Sequence, residues 1–312
     1  MGKSIFADLK DMPRMMGYGF DSLRKNPILL LPNLVMIVIS VCLFMIVYNV
    51  GGIHDLIATK TFILEDKVLF NSELSGLINS PKFTISAIVW ILGEFLIGAY
   101  FVVMKYGMIR DVIKDGKTSI KSGLLFAEKH YGRFLGIYII SRLILSVMMF
   151  VLLLIYLLFV TYNMVSFSFT TVLLAVFGLV LGFYFFTIAA RLFYTYPVMV
   201  FEDDSVFGSF DHSFHYVKSH SGHSYISFLI VVAFFIGLQF FDGTVRILFF
   251  DISSVVLVSV IAILMLIFEI ILTTWEHIFF FKSYVEGKKM KKEITAAKKI
   301  YNEKKKAKKS AK

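Results

Sequence analysis

Charge is scarce in this sequence: 17% of its 312 residues are Asp, Glu, Lys or Arg, against about 25% in ordinary soluble domains. The single cysteine, Cys42, excludes an intrachain disulfide and any cysteine-cluster metal centre. Catalytic and nucleotide-binding patterns are missing as well. There is no HExxH, GxSxG, Walker loop, GxGxxG or EF-hand sequence, so nothing nominates a hydrolase, a metalloprotease or a nucleotide enzyme. No polar stretch is long enough to form a soluble catalytic domain, the longest segment between apolar runs being about residues 50–83. The expectation is a protein that is not an enzyme and needs no cofactor or metal.

Apolar sequence fills the space left by these absences, with 58% of residues in the hydrophobic class. Crossing a bilayer core takes roughly 20 apolar residues in a helix, and six stretches meet that length. They run from about Pro27 to Asn49, Thr84 to Met104, Phe134 to Val160, Thr170 to Ala190, Tyr225 to Phe241 and Ile252 to Phe279. The first is too long and lies too far into the chain for a secretory signal. The predicted fold class is all-α: a polytopic membrane protein of six spans. It divides into a cytoplasmic amphipathic segment 1–26, a transmembrane domain 27–281 and a Lys-rich cytoplasmic tail 282–312.

The net charge of +10 is concentrated in one place. The segment 282–312 alone sums to +10, leaving residues 1–281 neutral. A nucleic-acid-binding globule would spread basic residues over a folded face, so no nucleic-acid partner is expected. With six spans, 27 of the 32 Lys and Arg fall on the side of the termini and 4 on the other, with Arg142 inside the third span. The positive-inside rule then puts both termini in the cytoplasm of a cell-membrane protein. A basic segment beside a span is attracted to anionic lipid by about 1 kcal/mol per residue, which makes anionic headgroups the expected partners. A homo-oligomer is compatible with the Gly178–Gly182 GxxxG pair, although packing within one chain explains that pair equally well.

Short amphipathic stretches precede the spans. Met16, Phe20 and Leu23 form one such face; Ile120, Leu124 and Phe126–Ala127 a second, with Thr118 as a candidate N-cap after an Asp115–Gly116 turn. Phe207, Phe210, Phe214 and Val217 form a third, all at helical spacing. Helices of this kind lie in the headgroup plane. The order surface helix, span out, span back then recurs over 16–104, 118–190 and 205–281, as parallel repeats would. Tyr48, Tyr100, Tyr106, Tyr194, Tyr196 and Trp275 are placed for an interfacial belt.

Three charges sit inside spans: Glu94, Arg142 and Glu269. Each costs about 2.5–3.5 kcal/mol on insertion scales and so normally faces protein or water. All three lie about 12–15 Å from the cytoplasmic boundary at 1.5 Å per residue, a candidate polar cluster with the Arg142 fork between two carboxylates. It reads either as a polar path for a solute or as an ion cluster that fixes helix packing. Arg191, Lys117 and Arg133 mark the cytoplasmic boundary as candidate headgroup contacts. The pairs His212/His215 and His220/His223 have i, i+3 ligand spacing, but no third ligand is evident and solvated histidines are the default reading.

The text between the spans also carries a resemblance. Phe20-Asp21-Ser22-Leu23-Arg24-Lys25-Asn26-Pro27 precedes an apolar run. Gly107 to Asp111 and then Gly116-Lys117 follow the second span. Further on come Arg191-Leu192-Phe193, Tyr196-Pro197, Glu202-Asp203 and the stretch Ser205 to Ser213. Together they resemble a widespread group of prokaryotic integral membrane proteins of unknown function, similar to the membrane domain fused to some glycerophosphodiester phosphodiesterases. The resemblance covers roughly residues 17–280 and implies a six-helix membrane fold. It does not imply hydrolase activity, because the His-Arg-Gly and paired acids of the phosphodiesterase domain have no counterpart here. Pro197 is expected to end the fourth span. The function this supports is a transporter-like or membrane-organising component, with a scaffold subunit of a membrane complex as the alternative and an intramembrane lipid enzyme third.

Overall fold

Residues 2–58, 74–163, 169–248 and 255–310 are described by a computed structural model. Among them every regular element is helical, and six helices are long and apolar enough to cross a membrane. The protein is therefore an integral, multi-pass, all-α membrane protein. The long elements are α1 (Gly2–Lys25), α2 (Leu31–Val50), α3 (Pro81–Asp115), α4 (Ile120–Asn163), α5 (Phe169–Glu202), α6 (Val206–Ser219), α7 (Ser221–Leu248) and α8 (Val255–Ser310). Residues 59–73 of the 50–83 loop, 164–168 of the 163–169 turn and 249–251 of the 242–251 loop lie outside the described residues.

Local chemistry sets several ends. A 3-10 turn at Pro27–Leu30 follows α1, as expected where proline cannot continue the hydrogen-bond ladder. Gly116, at φ +76°, makes the turn between α3 and α4 in a region open to glycine. Ser119, and not Thr118, accepts the first-turn hydrogen bond of α4 from Ser122 N at 3.2 Å. The amphipathic stretch it starts is no separate surface helix, since α4 runs unbroken into the third span. Pro197 lies inside α5, which continues to Glu202. The lost backbone bond is outweighed there by packing, with Val198, Met199 and Val200 all buried.

The chain divides into two compact units. One holds Asn26–Met108 with Thr118–Tyr131; the other holds Met1–Lys25, Ile109–Lys117 and Gly132–Lys312. In the first, Gly107 faces Phe126 so closely that an added Cβ would lie 2.6 Å from the ring side chain. Tyr131 donates to the Leu96 carbonyl at 3.0 Å, and buried Lys105 donates to Asn33 Oδ1 at 3.1 Å.

In the second unit α1 packs on α7 and α8. Met12, Met15, Ser22 and Leu23 are buried, and Gly19 lets the helix approach Trp275, whose ring a Cβ would meet at 2.7 Å. The Trp275 indole donates to the Met16 carbonyl at 2.9 Å and stacks on Phe20 at 5.0 Å. Trp275 and Tyr194 are fully buried; they are core residues of this unit and not part of an interfacial belt. Helix α6 packs inward through small residues and one aromatic. Ser209, Ser213, Tyr216 and Val217 are buried, while Phe207 is 78% exposed. Small serines allow α6 to lie close to α5, and Thr195 and Ser213 hydroxyls meet at 3.1 Å.

Burial changes along each helix of this unit. On α5, Ala190 through Val200 supply buried residues, but Leu179 is 75% and Phe183 71% exposed. On α7 the core residues are Phe228 and Val231, and Phe240 is 77% exposed. The same holds on α8, where Trp275, Ile278 to Phe281 and Tyr284 are buried and Leu257, Val260, Ile263, Leu264 and Phe268 are exposed. The core sits at the end that carries α1 and α6, and the remaining lengths present apolar side chains outward.

Candidate functional site

The intramembrane charges occupy different environments. Glu94, on α3 in the first unit, is half-buried and accepts a hydrogen bond from the Trp90 indole at 3.3 Å, one turn earlier. Arg142 on α4 is exposed, its guanidinium 5.0 Å from the Tyr138 ring centroid. Glu269 on α8 is exposed too, and its backbone carbonyl accepts from Thr273 at 2.8 Å. Arg142 and Glu269 share the second unit, and among the described residues neither makes an ion pair.

The densest polar constellation lies where α5 ends. Beyond Glu202 the chain takes a left-handed residue, Asp203, at φ 56°, a conformation that Asp tolerates better than most residues. Ser205 then caps α6 by accepting from Gly208 N at 3.2 Å, the role serine plays at helix starts. This hairpin points three consecutive carboxylates at three cations. Arg133 Nη1 bonds both the Asp203 carboxylate at 2.5 Å and the Asp203 carbonyl at 3.0 Å. Lys288 Nζ lies 2.7 Å from Glu202 Oε1, which also accepts from the Tyr284 hydroxyl. His212 Nδ1 lies 2.5 Å from Asp204 Oδ2 and 3.7 Å from Glu202 Oε2. The hydrogen bond to Asp204, then its charge, raises the His212 pKa above the ordinary 6.5, so the imidazolium is favoured.

Glu202, Asp204 and His212 bring one donor atom each within 4.8 Å of one another, a grouping that can chelate a cation. Tyr284 and Lys288 already occupy the Glu202 carboxylate, and Asp204 the His212 ring nitrogen, so the arrangement as it stands is a set of internal ion pairs that ties α4, α5, α6 and α8 together. The histidine pairs seen in the sequence do not act as pairs. His212 turns to Asp204, His220 Nδ1 bonds Ser219 and the Tyr216 carbonyl, and His223 is buried against α8.

A second constellation had no sequence signal. Ser283 Oγ lies 2.6 Å from Ser227 Oγ and 2.9 Å from His223 Nε2, with the Tyr194 hydroxyl 3.5 Å from the Ser224 carbonyl beside them. All five residues are buried. The participants are common residue types 30 to 60 positions apart, and only the α5–α7–α8 packing makes them neighbours. Of the boundary residues, Arg133 holds Asp203, Arg191 lies 5.4 Å from the Phe214 ring centroid with its Nε buried and without a hydrogen-bond partner, and Lys117 is exposed.

Residues 164–312 match the family model of the membrane domain of glycerophosphoryl diester phosphodiesterase, the similarity that the boundary motifs imply. The match lies in the C-terminal half and includes the Lys-rich segment, which the motif resemblance leaves out. No curated protein and no solved structure matches the chain.

Proposed function

We propose that this is a membrane-organising protein of the cell membrane, not an enzyme, that gathers anionic phospholipid at its cytoplasmic face, where both termini lie. The observation that supports it is the burial gradient of the second unit. Protein packs densely at the α1–α6 end, while α4, α5, α7 and α8 leave apolar side chains outward along their other lengths. Apolar surface of this extent is stable where lipid covers it. Between α7 and α8 it forms an apolar groove of about 410 Å³ along Phe234, Gly237, Phe241 and Phe268. The outward-facing Arg142 and Glu269 give less support to a polar solute path. The basic side has 27 of 32 Lys and Arg and supplies the attraction for anionic headgroups.

Full-length protein reconstituted in nanodiscs from mixed phosphatidylglycerol and phosphatidylcholine tests this. The reading expects the anionic lipid to be enriched around the protein over the bulk ratio. It expects that enrichment to fall when Lys298, Lys299, Lys304, Lys305 and Lys306 are all replaced by Gln. No enrichment, or a solute flux in proteoliposomes that Arg142→Leu abolishes, would move the assignment to a transporter. A scaffold for other membrane subunits is the second reading, favoured by the same α7–α8 groove, and cross-linking in native membranes separates the two.

A further inference from the structure

Helices α1 and α8 leave between them a cleft of about 510 Å³, within the usual size of small-ligand sites, roughly 300–1,000 Å³. Its charged lining has both signs: Asp11, Arg14 and Asp21 from α1, Lys282 and Glu286 from α8. Tyr18 forms one wall. Its hydroxyl donates to the Val112 carbonyl at 3.3 Å, and the Lys282 ammonium lies 4.4 Å from its ring centroid. Lys282 also pairs with Glu286 at 2.9 Å. Among the described residues Asp11 and Arg14 have no ion-pair partner, and Asp21 has only a 3.9 Å contact with Arg24.

We propose that this cleft binds a phosphate ester that carries its own ammonium group, the chemistry of a zwitterionic phospholipid headgroup. Three carboxylates against two cations disfavour a simple anion, and the presence of Arg14 and Lys282 in the lining disfavours a simple cation. A zwitterion answers both. Arg14 offers a planar fork for the phosphate, Lys282 a second cation in the same lining, and Asp11 and Asp21, on either side of Arg14 along α1, are alternative partners for the ammonium. The position fits a lipid source. Lys282 is the first charged residue after the buried run Phe279-Phe280-Phe281, which places the cleft at the level where α8 leaves its apolar stretch. Free phosphoethanolamine has the same chemistry.

The inference rests on the lipid-contacting reading but concerns a site separate from the Lys tail. Full-length protein in detergent is titrated calorimetrically with dihexanoyl-phosphatidylethanolamine, dihexanoyl-phosphatidylglycerol and O-phosphoethanolamine. The ethanolamine lipid is expected to bind about tenfold more tightly than the glycerol lipid, and Arg14→Gln to weaken it by about tenfold, the scale of one charged hydrogen-bonded contact. Replacing Asp11 and Asp21 together by Asn weakens the ethanolamine lipid and strengthens the glycerol lipid, a reversal that simple loss of fold does not produce. Binding of O-phosphoethanolamine as tight as that of the lipid assigns the site to the free compound; binding of the lipid alone assigns it to the membrane. Equal affinity for the two lipids, or no effect of Arg14→Gln, overturns the proposal. Asp11, Arg14 and Asp21 are exposed, so the variants are expected to keep the wild-type melting temperature. The Lys-to-Gln tail variant keeps this preference even where it abolishes anionic enrichment, so the two readings fail separately.

Discussion

Two stretches of α8 are built differently. In the stretch Trp275 to Tyr284 most side chains are buried, Trp275, Ser283 and Tyr284 among them, and hydrogen bonds join it to Met16, Ser227 and His223. From Leu257 to Phe268 the same helix is apolar and exposed, with no partner needed where lipid is the solvent. Specific packing in this unit is thus concentrated at one end, and sequence changes should be felt there and tolerated elsewhere.

The largest expected effect is Trp275→Ala. It empties the site under Gly19 and removes the bond to Met16, and a loss of about 3–5 kcal/mol is expected for a buried aromatic. A collapsed melting transition in detergent would show it; an unchanged one would mean that α1 is not anchored there. Next comes Gly287→Leu, whose Cβ would run into the Tyr216 hydroxyl and lie 3.1 Å from the His223 ring. Overpacking of this kind costs about 1–3 kcal/mol and should separate α6 from α8, read as faster proteolysis between them.

A smaller effect depends on pH. The raised His212 pKa means that the folded protein binds this proton more tightly than the unfolded chain. Its stabilising contribution is therefore complete below the ordinary value of 6.5 and disappears as pH rises through the folded value. Melting temperature should fall slightly between pH 6 and 9, and Asp204→Asn should flatten that slope. Because His212 is largely exposed, the change is small. The smallest effect is Leu179→Ala on the outward length of α5, expected within about 0.5 kcal/mol of wild type. A large loss there would show that protein, and not lipid, covers that face.

What the sequence showed and what it concealed divide along the same line. Six spans, the break at Lys25–Pro27 and the surface helix 206–219 were legible, because each rests on local periodicity or on a single backbone-restricting residue. The inward face of α6 was not. The Phe stripe marks an apolar face without saying which residues meet protein, and Ser209 and Ser213 are buried, with Ser213 against Thr195 of α5, because close helix approach favours small residues. Trp275 was misplaced for a related reason: an aromatic at a span end is a belt residue unless another helix lies over it, and α1 does. At Pro197 the local rule predicts a helix end, and the buried neighbours override it.

Of the candidate sites, the sequence leads one to expect Glu94, Arg142 and Glu269 at one depth, but depth is a single coordinate. Whether side chains meet also depends on helix rotation, which lipid-exposed lengths leave unmarked. The Glu202–Asp203–Asp204 hairpin was visible as text; its partners Arg133, His212, Tyr284 and Lys288 were not.

By itself, then, the sequence determined that this is a six-span helical membrane protein with its excess positive charge gathered in residues 282–312, because hydropathy and charge are additive along the chain. Only the tertiary structure decided that α1 is part of the core, that Ser227, Ser283 and His223 touch, and that a cleft of mixed charge lies between the first helix and the last. Those are contacts between residues 56 to more than 250 positions apart, and no local property of the chain records which distant surfaces fit together.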